Sequence, residues 1–171
     1  LPQDPTGPAV GTAPGETMAG FEVPGPEESQ NEAGGQAGAM VGNGMVEVDS
    51  LAELSKSIGF SVLEVKNIPF EVTSTVYTNG WNEFAQVEYQ GKSQDEAVLF
   101  RKARGTDDIS GDYNTYSDVK KVTVKEVSVT LKGDDGQYNQ AIWQQDGFAY
   151  SLSYEPGGSE NVFVEMIQSV Q

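Results

Sequence analysis

"VKKVTVKEVSVTLKG", residues 119–133, decides how the chain folds. Val122 and Val124 fall in one parity, and Val127, Val129 and Leu131 in the other. Side chains two apart on a strand share a face, so each set marks a half-buried strand. A parity change within one strand would turn half of these residues to water. Lys125-Glu126 is therefore either a bulge or a tight turn.

Further along, Asp135-Gly136 and Asp146-Gly147 each mark a hairpin, the second joining "NQAIWQQ" (139–145) to "FAYSLSYE" (148–155). Phe148, Tyr150, Leu152 and Tyr154 alternate onto one face. The final segment, "SENVFVEMIQSVQ" (159–171), changes period: Phe163, Met166, Ile167 and Val170 lie at the spacing of an amphipathic helix, with Ser159 as its cap. Pro156-Gly157-Gly158 separates it from the preceding strand.

Towards the N-terminus, "EAVLFRKAR" (96–104) reads as a strand. "EVTSTVYT" (71–78) and "WNEFAQVEYQ" (81–90) flank Asn79-Gly80, a pair suited to a type I′ turn because both central positions need positive φ. "SLAELSKSIG" (50–59) is a short helix: Ser50 and Glu53 form a capping box, Leu51, Leu54 and Ile58 share a face, and Gly59 supplies the left-handed stop. "MVEV" (45–48) is a brief strand. The expected class is α+β: an antiparallel meander of about six or seven strands, with the short N-terminal helix and the C-terminal amphipathic helix packed on one face.

Residues 1–43 are a different material. They hold six of the eight prolines and nine of the twenty glycines, six acids, no Lys or Arg and one aromatic residue, Phe21. Such a segment has too little apolar surface to offset its ordering entropy, so it is expected to be a flexible acidic linker before a single domain over 44–171. Docking of "GFEVPG" (20–25) onto the domain is the alternative. The sequence opens on Leu1 rather than Met, and the expectation is of a trimmed chain whose targeting segment has been removed.

With 26 acidic against 10 basic residues, the formal charge of −16 disfavours nucleic acid and anionic membrane surfaces as partners. The chain has no cysteine and no histidine, which removes disulfides, thiolate zinc sites, cysteine nucleophiles and imidazole-dependent triads. No apolar run reaches the length of a membrane span. No catalytic motif is recognisable and no cofactor is expected, so the chain reads as a non-enzyme.

The densest chemistry lies in "GTDDISGDYNTYSD" (105–118). Asp107, Asp108, Asp112 and Asn114 are candidate ligands for a hard cation such as calcium, with Asp118 nearby. The EF-hand spacing fails, because counting from Asp112 puts Ser117 at the glycine position and Thr123 at the bidentate glutamate position. The competing reading is a turn-rich loop held by its own side-chain-to-backbone bonds. Carboxylate-dependent hydrolysis is a weaker alternative, since nothing singles out one acid as buried. Trp81 is a candidate stacking platform for a sugar or peptide, and Trp143 with Tyr150 is a candidate groove lining; strand packing explains the same aromatics.

"MVEVDSLAELSKSIGF" (45–60), "FRKARGTDDISGDYNTY" (100–116), "VTLKG" (129–133) and "AIWQQDGFAYSLSYE" (141–155), followed by a terminal helix, resemble a domain-of-unknown-function family. Its members are extracytoplasmic parts of membrane-anchored proteins and lipoproteins of Firmicutes, similar to the outer domain of some anti-sigma factors. The resemblance implies a cell-surface location, tethered through an N-terminal anchor; taken with the acidic spacer and the lack of a nucleophile or imidazole, it leads to the expectation of a binding or sensing role towards a protein, peptide or cell-wall ligand. It assigns no active residues. It also implies that residues 101–113 join a strand end to a crossing loop, where Arg101, Lys102 and Arg104 neutralise Asp107, Asp108 and Asp112, and Ile109 points inward.

Overall fold

A computed structural model describes residues 44–171; the expected linker, and its docking alternative, lie outside the described residues. The elements in chain order are β1 (Met45–Val48), α1 (Leu51–Ile58), β2 (Ser74–Gly80), β3 (Phe84–Gln90), β4 (Ala97–Arg104), β5 (Asp118–Val124), β6 (Val127–Asp134), β7 (Gln137–Gln145), β8 (Phe148–Gly158) and α2 (Glu160–Gln168). The α+β class holds. The sheet has eight strands, however, where six or seven were expected, in the order β1-β2-β3-β4-β8-β7-β6-β5. All neighbours are antiparallel.

Two local features raise the count. Lys125 and Glu126 both have positive φ (47° and 68°), so residues 119–133 make two strands joined by a tight turn. That turn brings Val122 opposite Val129 and Val124 opposite Val127, putting both parity sets on one face. Met45–Val48 also joins the sheet, as the edge strand beside β2. Nor is the sheet one continuous meander. It consists of two four-stranded meanders that meet where β4 pairs with β8, and residues 105–117 carry the chain from β4 to the far edge at β5.

The Asp135-Gly136 and Asp146-Gly147 hairpins form as expected, with all four residues at positive φ. At the β2–β3 turn the positive φ values belong instead to Trp81 (51°) and Asn82 (59°), and Glu83 N–H closes the turn on Gly80 C=O at 2.8 Å. The turn sits two residues later than expected because Asn79 and Gly80 have other work. Asn79 is buried, and its amide bonds Asn82 and Ser57. A Cβ on Gly80 would lie 2.4 Å from the Phe84 ring.

One sheet face is apolar. Val87, Phe100, Leu152, Ala141 and Leu131 form a row across five strands, each fully or nearly fully buried. Both helices contribute to that core, α1 with Leu54 and Ile58, and α2 with Phe163, Met166 and Ile167. Ser50 caps α1 by accepting from Glu53 N–H, Glu53 returns a bond to Asp49 N–H, and Gly59 ends the helix at φ 79°. Ser159 is the α2 cap residue by position, although its side chain makes no capping bond; β8 runs through Pro156 to Gly158 directly before it. The irregular segment 60–73 completes the layer. Val62 and Val65 are buried, and Gln171 and Glu64 exchange backbone bonds at 2.9 and 3.1 Å.

Candidate functional site

The crossing loop, residues 105–117, is folded by its own polar chemistry. Asp108 Oδ1 accepts from Ser110 N–H and Asp112 Oδ1 from Asn114 N–H, each at 2.9 Å, which are side-chain turns of the kind Asp favours. The Tyr116 hydroxyl donates to Asp112 Oδ2, and Ser117 donates through both its backbone and its hydroxyl to Asp134. Burial alone would raise the Asp112 carboxyl, but the bonds from Tyr116 and Asn114 outweigh it and hold the group below its ordinary value. The same contest, with Ser110 and Lys132 as partners, lowers Asp108. Burial, then the hydrogen bond to Asp112 and that group's charge, push the Tyr116 hydroxyl up to about 12.

The expected charge neutralisation between Arg101, Lys102, Arg104 and the loop acids does not occur. Alternation along β4 sends adjacent side chains to opposite faces. Arg101 lies under the loop, where its Nη1 donates to the carbonyls of Ile109 (3.1 Å) and Ser110 (2.8 Å), and its Nε to Gln86 (2.9 Å). Lys102 is on the helix-bearing face, bonded to Ser61 C=O, and Arg104 reaches Gly59 C=O. The lysine that meets Asp108 is Lys132, at 3.2 Å. Ile109 is half-buried, and the buried residue of the loop is Ser110.

Among the described residues no three acidic side chains come close enough to hold a metal ion, and Asp108 and Asp112 already accept hydrogen bonds from the chain. No aspartate or glutamate among the described residues is buried, so the hydrolase reading gains no acid with the environment it needs.

Trp81 stands apart. It is 56% exposed, held at the tip of the β2–β3 hairpin, with its indole against the backbone of Gly44, where a Cβ would sit 1.8 Å away. Phe84 lies 6.0 Å from it, centroid to centroid, and Arg101 lies over the Phe84 ring at 4.8 Å. Between this tip and the crossing loop runs an open groove of about 550 Å³. Met45, Ile109 and Tyr113 line it together with the acids Glu83, Asp108 and Asp112, and Tyr113 is 97% exposed.

Trp143 and Tyr150 stack face to face, 5.2 Å apart with an interplanar angle of 2°, and both are buried. They sit where the sheet opens. The β6–β7 register begins at Val129↔Trp143, leaving Val127, Ser128, Gln144 and Gln145 without partners across that pair of strands. Two hollows flank the opening, and Val127, Trp143 and Tyr150 border both. On the loop side one of about 520 Å³ reaches Asp107 and Asp108; on the helix side one of about 350 Å³ reaches Lys102. The candidate aromatics are thus divided, Trp81 at the open groove and Trp143 with Tyr150 at the opening in the sheet. Lys102 was not singled out as a site residue. Its parity with Val98 and Phe100 was the signal that it turns inward.

Comparison with family models, with curated proteins and with solved structures finds no match to this chain.

Proposed function

We propose that residues 44–171 form a non-enzymatic binding module, displayed outside the cell on a tether, that contacts its ligand through the groove between the β2–β3 turn and the crossing loop. The observation that carries this reading is Trp81. A bulky aromatic residue at φ 51° occupies a backbone region that L-residues other than Asn, Asp and Gly seldom adopt, and such strain concentrates at functional positions. Here it leaves Trp81 56% exposed on the same groove as Tyr113, which is 97% exposed. Two accessible rings in a groove that also carries the carboxylates of Glu83 and Asp112 suit a ligand with alternating apolar and hydroxyl-bearing surfaces, of which a cell-wall saccharide is the clearest example. Arg101 commits Nη1 to two loop carbonyls and Nε to Gln86, so it braces the groove wall as well as charging it. The formal charge of −16 further favours a neutral or cationic ligand.

Calorimetric titration with soluble cell-wall glycan fragments tests the proposal. Saturable heat is expected from the wild type, with affinity at least tenfold lower in Trp81→Ala, in keeping with the share of binding energy that central aromatics carry. Trp81→Ala binding as tightly as the wild type would remove the groove from consideration. Absence of heat with every glycan offered would sink the saccharide assignment.

A further inference from the structure

On the helix-bearing face the fold buries a positive charge without giving it a counter-ion. Lys102 is 6% exposed, and its Nζ donates to one acceptor, Ser61 C=O, at 2.7 Å. Its other neighbours are aromatic faces: Phe148 at 4.2 Å, Tyr150 at 5.5 Å and Phe60 at 5.6 Å from the ring centroids. Among the described residues no carboxylate lies within 4.0 Å of it. Cation–π contacts recover part of the lost hydration, yet an ammonium group so placed retains donors that the chain does not satisfy. Burial accordingly lowers its pKa, Arg104 adds to that, and Asp146 opposes it.

The same amine borders the hollow of about 350 Å³ created where β6 and β7 part. The walls of this hollow are apolar: Leu63, Val124, Ile167 and Val170, with the stacked Trp143 and Tyr150. Lys125 stands at its edge, bonded to Gln168 C=O, and Asp146 is its one acidic lining residue. Apolar walls, a few polar groups and this volume are the attributes of a small-ligand pocket. A purely structural role would be served as well by an apolar side chain at position 102, since replacing a buried charge by a hydrophobe of similar size is commonly neutral or stabilising.

We infer that this hollow binds a small carboxylic acid with an aliphatic or aromatic body, the carboxylate meeting Lys102 and the body lying against the Trp143–Tyr150 stack. The charge complementarity is local. The overall field of so acidic a chain repels anions, so only an ammonium at short range offsets it. This site lies on the helix-bearing face and does not depend on the Trp81 groove.

The test uses the full chain carrying Trp81→Phe, which leaves Trp143 as the sole tryptophan reporter. Octanoate and octan-1-ol, matched in length and differing in charge, are titrated while emission is followed. Octanoate is expected to give a saturable change at a concentration at least tenfold lower than octan-1-ol, and Lys102→Met is expected to abolish that preference while keeping a cooperative melt. Equal response to acid and alcohol, no saturable response to either, or an undiminished preference in Lys102→Met would each overturn the inference. Should Lys102→Met fail to fold, the acid–alcohol comparison in the Trp81→Phe chain decides alone.

Discussion

Replacing Arg101 by Met tests whether one side chain holds the crossing loop to the sheet. The guanidinium makes three hydrogen bonds, to Ile109 C=O, Ser110 C=O and Gln86. Charge-assisted bonds contribute about 1.5–3 kcal/mol each when buried. Arg101 is only half-buried, so solvent screening reduces the two loop bonds to about 1 kcal/mol each. Gln86 is 8% exposed, and losing its partner adds roughly 1 kcal/mol for a buried amide oxygen left unsatisfied. Met keeps much of the apolar contact with Phe84. The sum is about 3 kcal/mol, which for a domain of this size lowers the melting midpoint by roughly 10–15 °C. Urea titration gives the free energy, and amide exchange over residues 109–117 shows where it is lost. Arg101→Lys is expected to recover less than half, because a single ammonium cannot replace the fork that joins the loop carbonyls through Nη1 to Gln86 through Nε. A loss below about 0.5 kcal/mol in Arg101→Met, with loop exchange unchanged, would refute the anchoring argument.

Three further outcomes follow from the same geometry. Gly133→Ala should cost about 3 kcal/mol in urea titration, since the new Cβ would sit 1.9 Å from Gln137 C=O and 2.6 Å from Tyr138 Cα, backbone atoms that cannot step aside. The folded Asp112 pKa is depressed, so its contribution is present above the unfolded carboxylate value and is lost as pH falls through the folded one; between pH 5 and pH 2 the wild type should therefore lose more stability than Asp112→Asn, and parallel curves would contradict this. Melts in calcium and in chelator should give the same midpoint within about 1 °C, as expected when no ion binds the folded state preferentially.

Local features were legible in the sequence because they rest on short-range chemistry. Ser50, Glu53 and Gly59 announced α1 and its limits, and Asp135-Gly136 and Asp146-Gly147 announced their turns, because few other residues tolerate those backbone angles. The alternation from Phe148 to Tyr154 gave the core face of β8. What failed was long-range pairing. Nothing in residues 105–117 says which sheet edge the chain reaches next, so the meeting of β4 with β8 could not be foreseen. Asn79-Gly80 misled because a buried amide and a close ring approach select the same residues as a turn does. At the candidate sites, the aromatics were found by type, but their grouping was not. Strand order and sheet face both separate Trp81 from Trp143. Lys102 escaped notice because it was read with its basic neighbours in sequence rather than with Val98 and Phe100 across the strand.

The meeting of β4 with β8 also governs when the domain can be finished. As the nascent chain leaves the ribosome, β1 to β4 emerge first and can pair among themselves, yet one flank of β4 stays unsatisfied until Phe148–Gly158 has been made. Open strand flanks recruit foreign chains, and pairings distant in sequence form slowly. A stop anywhere before residue 148 would leave a half-sheet prone to clumping rather than a smaller working domain. The last two dozen residues therefore act as the closing step of assembly.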